Sequence, residues 1–435
     1  MPSNELTRAA GLIAPAEWQG MLRRVLAPAV KGTRRILLLP PDGTRANSNA
    51  GPITAFLYEW LQPGRRVDVM PALGTHMPMT AHELTAMFGS GIPAAAYRVH
   101  DWWRGLRLVG EVPAARLAEW SEGRLDYGVR IEVDSGLYDG YDLILSIGQV
   151  VPHEVAGMAN YTKNLCVGAG GPDLINKSHF LGAVYGMERI MGRVDTPVRA
   201  LYNWVVAQFM SDLPVSYILT VMGGGPPAGF GMRGLFVGRD EATFRAAADL
   251  SRQLNITRVE EPLRKAVVFL DGEEFKSTWL GNKAIYRTRM AMADGGELVI
   301  LAPGLRQFGE DREVDRLIRK YGYRGTPVTL AAVGEHAELR ENLSAAAHLI
   351  HGSSEGRFAV TYCPGPHLSP QAIVAAGYQV ADLATALRRY DPARLADGWN
   401  TLAGGERIYF IRNPALGLWA TAERMGTFAA ERVLE

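Results

Sequence analysis

Three residues able to move a proton, anchor a group covalently or bind a metal stand at fixed spacing in one stretch of the chain. His153 follows Pro152, Lys163 comes ten residues later, and His179 comes sixteen residues after the lysine. Imidazole titrates near neutrality, so it serves as acid or base, and its ring nitrogens also ligate metals. A lysine amine that has lost its proton is a covalent anchor. Between the lysine and His179 lie Gly168, Gly170 and Gly171, which lack a Cβ and let a ligand approach the backbone. Asp42, Thr44 and Arg45 form a polar cluster earlier in the chain, and His76 sits between Gly74 and Pro78. An arginine beside a helix start suits a phosphate or carboxylate: backbone N–H groups and the helix dipole attract the anion and the guanidinium grips it in two places.

These residues need elements to hold them. The apolar run Leu143 to Ile147 reads as a buried strand closed by Gly148 and Pro152. His153 therefore falls just past a strand's C-terminal end, where an open parallel sheet binds ligands. Arg35 to Pro40 is a first strand leading into the Asp42 loop, followed by a helix from about Ile53 to Leu61. Val67 to Leu73 is a second strand leading to His76. Thr80 and Glu83 have capping-box spacing, which starts the next helix after the histidine and leaves His76 on a loop. Residues 1–30 read as helical, His100 to Trp103 as packing, and Tyr217 to Met222 with Leu235 to Arg239 as a hairpin around a glycine-rich loop. From Glu261 and Pro262 a strand–helix alternation restarts and runs to Arg407–Ile411, the sign of a second parallel α/β layer.

Length supports the same division. A chain of 435 residues exceeds one ordinary core. The expected plan is two α/β domains with largely parallel sheets and an active site in the cleft between them. The first spans 1–262 and holds cofactor and catalysis, the second spans 263–400, and a segment 401–435 returns to the first. A net charge of +1 gives no support to a nucleic-acid partner. The two cysteines, Cys166 and Cys363, exclude a disulfide framework and fit a reducing compartment. No run approaches about 18 apolar residues, so no membrane role is expected and the protein is read as cytoplasmic.

The pattern Pro152-His153-x-x-Ala156-Gly157, with Lys163, the Gly-Pro element at 171–172 and His179 at those spacings, resembles the lactate racemase family of nickel-pincer nucleotide enzymes. Asp42-x-x-Arg45 after the first strand and Gly74-Thr75-His76 with Pro78-Met79-Thr80 are similar to two further motifs of that family. The resemblance implies a nickel-pincer nucleotide attached at Lys163, made by separate cofactor-biosynthesis enzymes, with His179 as nickel ligand. It implies Asp42, Thr44 and Arg45 at the nucleotide, and His76 and His153 as the two acid/base groups. Lys283, twelve residues before Gly295, matches the family's lysine for the substrate carboxylate, with Arg45 and Trp279 as further substrate contacts. The implied reaction inverts the α carbon of a 2-hydroxy acid by hydride transfer.

Three departures concern the substrate. The family's lactate enzymes carry Tyr-Gln where this chain has Trp279-Leu280, and a later tryptophan that this chain lacks between Leu280 and Gly398. The Gly-Gly before the anchoring lysine is replaced by Asn160-Tyr161-Thr162. The expected substrate is thus a 2-hydroxy acid larger or more polar than lactate, such as the aldonic acid gluconate. Two other readings stand beside it. A zinc-type hydrolase or lyase would place His76, His153 and His179 on one metal, and a non-catalytic small-molecule binding protein would keep the cleft without the chemistry.

Overall fold

The computed structural model describes residues 4–225 and 229–426. The chain forms two compact units. One runs to Ser178 and resumes from Met191 to Asn255; the other takes His179–Ile190 and continues from Ile256. Sequence pattern alone puts the division after residue 262.

The first unit is built on a six-stranded sheet. Its strands are β1 (Glu5–Thr7), β2 (Arg35–Leu39), β3 (Arg66–Val69), β4 (Leu143–Gln149), β5 (Val215–Gly225) and β6 (Gly229–Gly238), in the order β1-β6-β5-β4-β2-β3. β3, β2, β4 and β5 run parallel, with Ile36 opposite both Val67 and Leu143 and Ile144 opposite Val215. β6 and β1 are antiparallel additions at one edge. The central strands are apolar on both faces because both are covered. Helix α1 (Pro15–Val30) buries Trp18, Met21, Leu22 and Leu26 at helical spacing, and α2 (Ala50–Leu61) buries Ile53 and Leu57. Together they close one core over Ile36, Leu38 and Leu145.

Residues 1–30 read as helical from the sequence, but Glu5–Thr7 is an edge strand facing Gly234–Phe236. Such a short strand carries no periodicity of its own; pairing with a distant hairpin makes it one.

The second unit repeats the plan with β7 (Leu263–Phe269), β8 (Met292–Ala302), β9 (Ala359–Pro364), β10 (Gln379–Val380), β11 (Gly398–Thr401) and β12 (Arg407–Ile411), ordered β10-β9-β8-β7-β12-β11. All neighbours are parallel except β11 and β12. Val267, Val299, Leu301, Ile408 and Phe410 fill one face. The segment from Arg407 to Gly426 stays in this unit, where Leu418–Thr421 pairs in parallel with Ile256–Val259. Both units are therefore α/β with largely parallel sheets. Among the described residues, no helix is long and apolar enough to cross a membrane.

Candidate functional site

The C-terminal ends of β2, β3 and β4 carry the first unit's reactive residues. After β2 the chain turns at Asp42, whose carboxylate accepts from Thr44 N at 3.2 Å and Thr44 Oγ1 at 2.5 Å and so caps a 3-10 turn, Gly43–Ser48. The same carboxylate meets His76 from the loop after β3, with Oδ2 2.6 Å from Nδ1. Burial would raise the Asp42 pKa, but the His76 hydrogen bond and charge, Thr44 and Arg45 together hold it below the ordinary carboxylate value. Asp42 is thus a buried anion orienting a histidine whose own ring is more than half exposed. The helix Ala81–Phe88 begins after this loop with Thr80 and Glu83 in a capping box, as the spacing predicts. Thr44 and Arg45 lie exposed beside the pair.

Lys163 opens a single π-helical turn, Asn164–Gly168, a local irregularity frequent at functional sites. Asn164 fixes that turn to the sheet: its Nδ2 donates to Leu39 O at 3.1 Å and to Ser146 Oγ at 2.9 Å, in β2 and β4. Gly74 N donates to Gly168 O at 2.9 Å, joining the His76 loop to the lysine turn. The amine of Lys163 is pulled down to about 8, first by burial and next by the positive charge of Arg45, with Glu154 and Asp42 opposing and Arg199 reinforcing. The glycines beyond the lysine are needed for packing. A Cβ on Gly170 would lie 1.8 Å from Cys166 O, so the close approach is by the protein's own backbone.

The segment before the lysine shows how the replaced glycines are tolerated. Asn160 and Tyr161 take left-handed backbone angles, φ 66° and 59°. Tyr161 in that region is strained by about 1–2 kcal/mol, and packing compensates. Its ring stacks on Phe244 at 5.1 Å, while Arg199, from the helix Pro197–Phe209, donates to Met158 O, Asn160 O and Thr162 Oγ1 at 2.6, 3.2 and 2.9 Å. Sequence pattern gives no reason to single out Arg199. A single cation inside an amphipathic helix reads as a surface group, yet here it is buried.

His153 belongs to a two-residue strand, Pro152–His153, paired with Gly157–Met158. It is buried, and its Nδ1 accepts from Val155 N at 3.1 Å and Ala156 N at 3.4 Å. His100 is packing, as expected, but ordered packing: Nδ1 meets Asp134 Oδ2 at 2.7 Å and Nε2 meets Gly170 O at 3.2 Å, which braces the glycine run, whereas Trp103 of the same motif is exposed, against the packing expected of it.

His179 is a partly exposed residue of the helix Pro172–Tyr185, at the first position assigned to the second unit. In that unit Trp279 lies on the short helix Thr278–Gly281 and Lys283 opens the next, Lys283–Thr288, with buried Asn282 between them. The sequence predicts one helix over 279–293. The break follows from Asn282, whose Oδ1 accepts from Tyr362 and Tyr378 at 2.8 and 3.2 Å and pins the chain there. Trp279 stacks on His348 with ring centroids 4.2 Å apart, and His348 Nε2 lies 3.0 Å from the Tyr323 hydroxyl. Lys283 Nζ stands 5.9 Å from the centre of the Phe275 ring.

The donor set distinguishes two kinds of metal site. Among the described residues, no three His, Cys, Asp or Glu side chains gather to hold an ion. A three-imidazole zinc centre needs such a group. A metal carried mainly by a nucleotide needs one imidazole, and the depressed amine of Lys163 beside exposed Thr44 and Arg45 fits an amide-linked anionic group.

Residues 19–190 match the model of the lactate racemase N-terminal domain. Among solved structures, a protein from Thermotoga maritima superposes with a TM-score of 0.73 at 22% identity, over 90% of this chain and 98% of that one. The lactate racemase apoprotein from Thermoanaerobacterium thermosaccharolyticum superposes with a TM-score of 0.69 at 15% identity, over 91% of this chain and 88% of that one. At these identities the structural likeness concerns the fold. No curated protein matches the sequence.

Proposed function

We propose, from the premise that the chain belongs through residues 19–190 to the lactate racemase family, that it is a racemase or epimerase of a 2-hydroxy acid. The observation that carries this reading is the backbone hydrogen bond from Gly74 to Gly168, which joins the loop of a carboxylate-oriented histidine to the turn of a lysine with a depressed amine pKa.

A nickel-pincer nucleotide, when bound, supplies an acceptor and donor for the hydrogen on the α carbon. The chain's own residues do the rest. Lys163 holds the nucleotide covalently, Thr44 and Arg45 receive its anionic part on the loop that Asp42 orders, and His179 ligates the nickel. His76 and His153 address the substrate hydroxyl. Lys283 and Arg45 hold the substrate carboxylate, Lys as a point charge and Arg as a fork, and Trp279 bounds the pocket. Leu280 offers no polar contact there, which favours a substrate other than lactate, with aldonic acids such as gluconate first in line.

The test is intact mass and metal analysis of protein produced with nickel and the cofactor-making enzymes. A nucleotide-sized adduct with about one nickel per chain, absent from Lys163→Ala, is the expected result, followed by inversion of a 2-hydroxy acid. An unmodified wild-type chain holding zinc or no metal would overturn the reading.

A further inference from the structure

Asp68 is a buried carboxylate inside β3, between the apolar Val67 and Val69. It lies opposite Leu37 of β2, and both alternate away from the face on which Ile36, Leu38, Val67 and Val69 pack under α1 and α2. Three groups meet it: Tyr141 Oη donates at 2.8 Å, Arg66 Nε donates at 3.1 Å, and Arg98 Nε stands at 3.4 Å. A buried charge is costly unless it is paired. The pairing here fixes the root of the Arg98 guanidinium, whose terminal nitrogens make no hydrogen bond to a described residue.

Arg98 lines a cavity of about 360 Å³ that lies wholly within the first unit, on the sheet face away from α1 and α2. Leu37 and Met70 give it an apolar wall; Arg104, Ser135 and Asp139 give it a polar one. Ser135 N donates to Gly105 O at 2.9 Å, which ties the two polar stretches together. The side chains of Arg104, Ser135 and Asp139 make no hydrogen bond or ion pair with a described residue. The other two carboxylates of the wall are engaged. Asp101 accepts from Trp103 N and Arg104 N, each at 3.2 Å, and Asp134 meets His100 at 2.7 Å and Gly136 N at 2.9 Å. No residue assigned above to cofactor, metal or substrate lines this cavity.

We infer that the cavity is a second ligand site, which takes a small polyhydroxylated carboxylate of the sugar-acid class. This goes beyond the proposed function and does not depend on it. Arg98 and Arg104 hold the carboxylate through charge-assisted hydrogen bonds. Asp139 and Ser135 accept from hydroxyl groups, and the C–H side of the carbon chain lies on Leu37 and Met70. A doubly charged phosphate suits the wall less well, because Asp101, Asp134 and Asp139 repel the extra charge. The volume is near the lower end for ligand pockets, which admits a chain of about six carbons and excludes a dinucleotide.

The Met70 methyl group reports occupancy. Spectra of methyl-13C-methionine protein, free of cofactor and carrying Arg45→Ala and Lys283→Ala so that the cations given to the other carboxylate site are gone, are followed as sodium gluconate is added. Met70→Leu assigns the resonance. The Met70 signal should shift saturably. Sorbitol, which lacks the carboxylate, hexanoate, which lacks the hydroxyls, and inorganic phosphate should each bind at least about tenfold more weakly. Arg104→Ala removes a side chain bonded to no described residue, so the fold should be kept, while affinity for gluconate should fall by about tenfold. An unmoved Met70 signal overturns the inference, as does sorbitol, hexanoate or phosphate binding as tightly as gluconate, or an unchanged affinity in Arg104→Ala. Failure of the proposed function is read separately, as a missing mass adduct at Lys163, because the titration needs neither cofactor nor turnover.

Discussion

The reactivity of Lys163 comes from its surroundings. An ordinary lysine amine is almost wholly protonated at neutral pH; burial and the charges of Arg45 and Arg199 bring this one to about 8. The sign is that of a disfavoured cation: the neutral, nucleophilic form grows as pH rises through about 8, and roughly a tenth of it is present one unit below. Pulsed acylation of the cofactor-free protein, read by peptide mass, should therefore show Lys163 labelling rise and level off above about 8 while surface lysines continue to climb. Arg45→Ala removes one of the opposing charges and should move the midpoint upward. A Lys163 profile that coincides with the surface lysines would refute the account. Most of this chemistry is legible in sequence, because His153, Lys163 and His179 keep their spacing whatever the fold does. The causes of reactivity are less legible, since Asp42 and His76 are far apart in the chain and Arg199 acts from another helix. Residue types survive in a pattern, whereas desolvation is a property of the folded neighbourhood.

At the scale of elements, strand ends and caps are readable and side-chain braces are not. The capping box at Thr80 and Glu83 places His76 on its loop from four letters of sequence, because capping is local. The loop before Lys163 is held by a non-local brace. Arg199→Met would leave Met158 O, Asn160 O and Thr162 Oγ1 without their buried donor. A loss of about 3 kcal/mol is expected from three such groups, allowing for partial rehydration, read as a lower urea midpoint, and adduct yield at Lys163 should fall with it. Unchanged stability would mean that the left-handed Asn160 and Tyr161 are supported without the guanidinium. In the second unit His348 plays the comparable part for Trp279. His348→Ala removes the stack and the Tyr323 contact, so stability should drop by about 2 kcal/mol. If the tryptophan bounds the pocket, KM should rise several-fold with little change in kcat. A variant with lower stability and unaltered KM would confine Trp279 to packing. His348 leaves no mark in the sequence: its helix Leu343–His351 reads as an ordinary apolar element, and only the fold brings it to the tryptophan.

For the whole molecule, α/β alternation is legible because buried parallel strands are nearly continuous apolar runs, but where the chain divides is not. The segment His179–Ile190 lies deep within the first stretch of sequence and yet belongs to the second unit, for an electrostatic reason. Glu188 meets three guanidinium groups of that unit: Arg357 at 2.6 Å, Arg424 at 2.9 Å and Arg289 at 3.3 Å, with Arg289 itself buried. Burial would raise the pKa of Glu188, but Arg289, Arg357 and Arg424 outweigh it and hold the carboxyl below its ordinary value. A carboxylate depressed in the folded state contributes stability above its unfolded pKa, and that stability is lost as pH falls through the folded value. The contribution is therefore complete at neutral pH and disappears only in acid, below the usual glutamate range. Glu188→Gln removes the negative charge that the three arginines share, and about 3 kcal/mol should go with it, since a buried cation loses its partner. The signature is in the pH dependence: the wild-type and Glu188→Gln melting curves should differ most near neutrality and converge in acid, where the wild-type carboxyl also becomes neutral. A constant gap down to the most acid condition would show that shape and hydrogen bonding, not charge, tie His179–Ile190 to the second unit. If His179, which begins that segment, ligates nickel as proposed, the same variant should also weaken nickel retention in loaded protein even though Glu188 is itself no ligand.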